Sequence, residues 1–278
     1  MGEIVNIRFD AFGLGDNIAW IPYAEEYRKH TGKSVLVSTF YNRLFAPVYP
    51  ELVFCEPNNQ LFNIEKIMIG VGENDKEWRT KPLQKVASDA LGLEYTPIQP
   101  KVSHKEAEIP YENYVCISEH STRDFKEWRK SGGWQAVVDY LNEKGIKTVV
   151  CSKERTFLRD VIDCTGDRPL INRATLLRNA KMFIGLSSGL AWLSWAVNTP
   201  VIMISGATMD WHEFPCHRII NKDVCHGCIN THTDRKFNDH FKCIKENVEC
   251  SENIHEKDVI IKIGNILEDN DTIHNKEI

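Results

Sequence analysis

Ile4-Val5-Asn6-Ile7-Arg8-Phe9 alternates apolar and polar side chains, then runs through Phe12-Gly13-Leu14-Gly15-Asp16 into a stretch with apolar residues at Ile18, Ile21, Tyr23 and Tyr27. The period of two predicts a half-buried strand, the glycines a turn, and the wider spacing a helix reaching His30. Short strands follow over 35–38, 52–55 and 67–71, and a helix over 82–91 with Pro82 in its first turn. Between Gly92 and Tyr111, Pro97, Pro100 and Pro110 stand among charged residues, the composition of a linker. Beyond it the pattern restarts. Strands are expected over 114–118, 148–151, 182–186 and 201–205. The helices between them are expected over 133–144, ending at Gly145, over 175–180 and over 188–197. Strands that alternate with crossover helices make parallel sheets. The fold class is therefore α/β, with two Rossmann-like domains, 1–110 and 111–278, around a Pro-bearing linker. The polar tail from Glu268 is expected to fray.

Composition narrows the function classes. The chain has 278 residues, 42% hydrophobic, 26% charged and 10% aromatic, which is ordinary for a globular protein and excludes disordered and collagen-like chains. No apolar run approaches the ~20 residues of a membrane helix. The N-terminus has neither a basic n-region nor a long apolar segment, so no signal peptide is expected. A cytoplasmic location follows, in a bacterium or in a host cell if the chain is phage-encoded. The net charge of −5 argues against a dedicated electrostatic nucleic-acid binder.

The glycine turns are candidate ligand sites. Gly13-Leu14-Gly15 lacks the third small residue of a dinucleotide fingerprint, since Ile18 stands there, and no phosphate-loop Gly-Lys-Ser/Thr occurs. Asp16 is either a helix-capping residue or a carboxylate at the mouth of a sheet, where ligands of open α/β sheets bind. In the second half, Gly185-Leu186-Ser187-Ser188-Gly189 is a strand, a small polar turn and a helix start. It serves either tight packing or phosphate binding through the first helical amides. Ser121, Thr122 and Lys126 bring two hydroxyls and a cation to another loop, which suits a diphosphate or is simply a solvated charged turn.

Nine cysteines are present, and five crowd between Cys216 and Cys250. Cys225-His226-Gly227-Cys228 is a CxxC knuckle, with Cys243 and Cys250 following. Four thiolates from two short segments suit one structural zinc or iron ion that would order a polar stretch unable to fold by burial alone. A redox pair and uncoordinated thiols are the alternatives, but the helix-start setting of a thioredoxin-like motif is missing.

Read together, these motifs resemble the bacterial autotransporter heptosyltransferases. The resemblance rests on Gly13 to Glu26, Ser38 to Phe45, Tyr49-Pro50-Glu51, Glu56-Pro57, Ile117 to Thr122, Lys126-Glu127-Trp128 and Gly132 to Gln135. It continues through Ser187 to Leu193, Ile204-Ser205-Gly206, Glu213-Phe214 and the cysteines. More distantly the chain is similar to the lipopolysaccharide heptosyltransferases of glycosyltransferase family 9. The resemblance implies a GT-B fold, two Rossmann-like domains facing a cleft, plus a small Cys-rich metal-bound segment over 216–252. It implies an inverting transfer from a nucleotide-diphosphate sugar, ADP-heptose-like, to an acceptor hydroxyl, with protein serines as the implied acceptors. Asp16 would take the acceptor proton, and Lys126 would neutralise the leaving diphosphate in place of a catalytic metal. Ser121, Thr122, Ser187, Ser188 and Gly189 would hold the donor phosphates, and Glu154 the ribose. Cys225, Cys228, Cys243 and Cys250 would hold the metal. Oligomers are compatible with the resemblance, and no membrane partner is implied. Two other readings stay open: a UDP-sugar transferase acting on a saccharide or on hydroxymethylated phage DNA, and a non-catalytic nucleotide-sugar binder.

Overall fold

The computed structural model describes residues 3–57, 64–72, 74–106, 109–232, 242–245 and 247–274, with side chains described up to residue 268. Strand β1 (Ile4–Asp10) leads into helix α1 (Leu14–Thr31), then β2 (Ser34–Ser38), a single turn α2 (Asn42–Phe45), β3 (Val53–Cys55) and β4 (Glu65–Gly70). A 3-10 turn at Trp78–Thr80 precedes α3 (Leu83–Ala90). The second half holds β5 (Tyr114–Ile117), α4 (Gly133–Glu143), β6 (Lys147–Val150), β7 (Ile162–Asp163), α5 (Leu170–Arg178) and β8 (Phe183–Leu186). It continues with α6 (Gly189–Ala196), β9 (Val201–Ile204), β10 (His217–Ile219), α7 (Cys228–Thr231), α8 (Glu249–Glu252) and α9 (Glu256–His274).

Two separate parallel sheets form, ordered β3-β2-β1-β4 and β10-β9-β8-β5-β6-β7. In the first, Val5 lies opposite Val35 and Ile7 opposite Val37, so the apolar register of β1 matches that of β2. The strands of the second sheet read as continuous buried runs, Tyr114 to Ile117 and Val201 to Ile204, as expected of strands covered on both faces. One core is continuous across both halves: Trp20 and Tyr23 of α1 belong to the same buried cluster as Phe183, Trp192 and Phe214. A second core lies on the other face of the second sheet, under α4 and α9, around Val137, Leu141, Val259 and Ile263.

Several elements depart from the sequence expectation, among them the one-turn helices α2, α7 and α8, which are too short for a helical period to register. β7 and β10 are two and three residues long, too short for periodicity to register. α5 begins at Leu170, five residues before the expected Thr175, because Pro169 stands just ahead of it and fixes the entry. The tail does not fray at Glu268: α9 runs to His274, and Val259, Ile263 and Ile266, spaced four and three apart, bury one helix face.

Candidate functional site

Open parallel sheets bind ligands beyond the carboxyl ends of their strands, where the chain order reverses. In the first sheet that reversal falls at β1, which has β2 on one side and β4 on the other. Asp16 follows β1, in the first turn of α1, with its carboxylate folded back over Gly13; a Cβ at Gly13 would lie 2.1 Å from Asp16 Oδ2. In the second sheet the reversal falls between β5 and β8. The loop after β5 carries Ser121, Thr122 and Lys126, and the loop after β8 carries Ser187, Ser188 and Gly189. Lys126 Nζ spans the two by donating to the carbonyl and the hydroxyl of Ser187, each at 3.4 Å.

The two switch points meet. A Cβ at Gly189 would lie 2.8 Å from Leu14 Cβ and 3.2 Å from Gly15 N, and one at Gly15 would lie 3.0 Å from Trp192 Cδ1. Only glycine allows these two helix starts to pack so closely. The positive ends of α1 and α6 thereby converge. The Ser188 hydroxyl is buried at the start of α6 and has no hydrogen-bond partner among the described residues.

Electrostatics couple the halves. Burial pushes the Asp16 carboxyl up to about 6, against the pull of the Lys126 charge and of its own backbone amide. Burial pushes Lys126 down to about 8; Asp16 opposes this, while Arg123 and Arg218 reinforce it. An acid that titrates near neutrality beside a cation, at a sheet mouth, is the pattern of a proton acceptor facing an anion site.

Behind Ser187 lies a polar network that the sequence reading did not assign. The Ser187 hydroxyl donates to Glu213 Oε1, and Thr208 Oγ1 donates to Glu213 Oε2 at 3.1 Å. Glu213 is ion-paired with Arg218, and the two side chains are 4% and 8% exposed. Arg218 also donates to the Thr208 carbonyl at 3.1 Å and to Ser205 Oγ at 3.3 Å. His212, next to Glu213, is pushed down to about 4, chiefly by burial, and its Nδ1 donates to the Lys81 carbonyl at 3.1 Å. Glu213 was visible in the sequence only as a motif position. Arg218 sits on the three-residue β10, which periodicity cannot find.

The other expected residues are placed less centrally. Ser121 N donates to Glu127 Oε1 at 3.2 Å, and Thr122 is exposed on the same loop. Glu154 is exposed on the loop after β6, where its charge acts on Arg173. Cys225, Cys228, Cys243 and Cys250 share one neighbourhood. Burial pushes Cys250 up to about 12, and the other three thiols add to the rise. The expected closed metal shell is not found: among the described residues no three His, Cys, Asp or Glu side chains converge to hold an ion. Residues 233–241 and 246 of this segment lie outside the described residues. The knuckle packs against both halves: Ile229 and Cys228 meet Phe125 and Trp78, and Asn230 donates to the Arg79 carbonyl at 2.7 Å. Among the described residues no helix is long and apolar enough to cross a membrane.

Comparison with known proteins places this geometry among sugar transferases. The sequence profile of glycosyltransferase family 9 (heptosyltransferase) matches residues 80–244. The autotransporter heptosyltransferase Aah of Escherichia coli is 34% identical over 244 residues, which cover 81% of this chain and 62% of Aah. The chain thus spans less than two thirds of that relative, and 60% of the E. coli autotransporter heptosyltransferase TibC. The crystal structure of TibC, described as an iron-containing dodecameric glycosyltransferase from enterotoxigenic E. coli H10407, superposes with a TM-score of 0.88 at 28% identity, covering 96% of this chain and 77% of TibC. TibC has also been solved with ADP-D-beta-D-heptose, with a TM-score of 0.87 at 28% identity, covering 95% and 76%. The inactive autotransporter heptosyltransferase BimC of Burkholderia thailandensis is 29% identical over 251 residues, 82% of this chain and 59% of BimC. The two parallel sheets are those of the GT-B-like fold that the resemblance implied.

Proposed function

Because this chain belongs to glycosyltransferase family 9, we propose that it transfers a heptose from an ADP-linked donor, with inversion, to an acceptor hydroxyl, a protein serine being the first candidate. The observation that carries this reading is the meeting of the two switch points, which sets Asp16 against Lys126, Ser187, Ser188 and Gly189. Residues 1–110 would hold the acceptor and 111–278 the donor. The donor diphosphate would lie on the α6 amides, the Ser188 hydroxyl and Lys126, with Ser121 and Thr122 as further donors and Glu154 toward the ribose. Asp16 would remove the acceptor proton as the hydroxyl attacks the anomeric carbon. Lys126 would offset the charge that develops on the departing diphosphate.

A panel of ADP- and UDP-sugars tested by thermal shift checks the donor. ADP-heptose at a hundredfold its Kd should add ~2.7 kcal/mol of stability. A response confined to UDP-sugars would overturn the donor assignment. The inactive relative BimC favours one second reading, a nucleotide-sugar binder without turnover; release of ADP with acceptor present separates the two.

The cysteine cluster fits a structural ion by its donor set, four thiols in one neighbourhood. Cys225, Cys228, Cys243 and Cys250 would hold it, and such an ion supplies order rather than catalysis. Elemental analysis of purified protein should give one iron or zinc per chain, and Cys228→Ser should lose it together with soluble yield. Metal-free parent protein of full stability would refute the assignment.

A further inference from the structure

Ser187 faces two demands at once. Lys126 Nζ needs an acceptor, and the Ser187 carbonyl and hydroxyl provide two, each at 3.4 Å. A hydroxyl has one proton to donate, and its direction decides whether lone pairs or hydrogen face the ammonium. Here the proton goes to Glu213 Oε1. The Glu213 carboxylate has no proton to give, so it can only accept. It is paired with Arg218, which is further fixed on Thr208 and Ser205.

We propose that the buried Glu213–Arg218 pair is the positioning device of the donor-phosphate site: it fixes the Ser187 hydroxyl with its proton inward, so that Lys126 is anchored through Ser187 where the donor diphosphate arrives. This rests on the donor reading above and adds to it the residues that set the direction of the site.

Three observations support the pair's role. Glu213 and Arg218 are 4% and 8% exposed, and taking two charges out of water is costly, so burial alone does not explain them. Their bonds converge on the two polar loops at the carboxyl ends of β8 and β9, through Ser187 on one and Ser205 and Thr208 on the other. A hydroxyl that donates to a carboxylate is also a stronger acceptor for the next donor in the chain, here Lys126.

Glutamine at 213 keeps the shape but brings an NH₂ group. That group can donate to Ser187 Oγ and turn the hydroxyl proton toward the ammonium. Calorimetry of the full chain with ADP, and NMR titration with adenosine, read the effect. Glu213→Gln should weaken ADP about tenfold or more, the scale of a charge-assisted bond, and leave adenosine within twofold. Because Glu213→Gln strands a buried Arg218, the double variant Glu213→Gln, Arg218→Gln serves as the second test, with the same split expected in folded protein. Equal weakening of ADP and adenosine in both variants would mean a fold defect and overturn the positioning role. Unchanged ADP affinity in either folded variant would overturn it too. A parent chain that binds neither ADP nor adenosine would overturn the donor reading and this inference with it.

Discussion

Asp16→Asn is expected to lower the transfer rate by ~10²–10⁴-fold, the usual cost of losing a general base, while ADP affinity stays unchanged. Asparagine keeps the size and loses the basic oxygen. The parent's rate should also fall as the pH drops through about 6, because the carboxyl is pushed up to that value by burial and must be ionised to act. A stability change goes with it. The folded-state value lies above the ordinary 3.8, so Asp16 favours the folded chain only when protonated. That contribution is full below pH ~4 and is lost as the pH rises through about 6. Asp16→Asn should therefore match the parent's stability at pH 4 and exceed it at pH 7.5, by on the order of 1–2 kcal/mol given partial exposure. Chemical denaturation at both pH values measures this. A variant that turns over normally, or is no more stable at pH 7.5, removes Asp16 from the assigned role.

Lys126→Ala should weaken ADP by about 10–150-fold, since a hydrogen bond to a charged group contributes ~1.5–3 kcal/mol, and should slow transfer further. In the proposed mechanism the Lys126 cation takes the place of a divalent ion at the departing diphosphate. EDTA in a short assay should therefore leave the parent's initial rate intact. A rate that EDTA abolishes at once and Mg²⁺ restores would show that Lys126 does not carry the phosphate charge. A slow decline would instead report on the cysteine segment.

The sequence made much of this fold legible because the fold-defining signals are local. β1, its Gly turn and α1 are all present in residues 4–31, and the second sheet's central strands are unbroken apolar runs. Asp16, Lys126 and Ser188 could be picked out because each sits in a turn that follows a strand. Glu213 and Arg218 could not, since their pairing is tertiary: the edge strand β10 bears the arginine, and its register with β9 is set by the sheet. The run of α9 to His274 was not legible, because the stretch from Glu268 is polar and the buried stripe that holds the helix, Val259, Ile263 and Ile266, lies before it. The cysteine spacing was legible, but spacing says nothing of how four side chains are aimed. Of the four, Cys228 and Cys243 pack on the small cluster of Ala207, Phe125 and Trp78, a contact that only the tertiary fold creates.

The contact of Gly15 with Gly189 acts as a gauge block between the two halves. Backbone rests on backbone there, so the separation of the α1 and α6 starts, and with it the seat of Asp16 against the Ser188–Gly189 turn, is set by main chain. Changes elsewhere in the shared core will leave that span alone, whereas one added methyl at either glycine would wedge it open. What remains free to vary around that fixed contact is the exposed loop surface, such as the paired rings of Phe12 and Phe40 beyond β1 and β2.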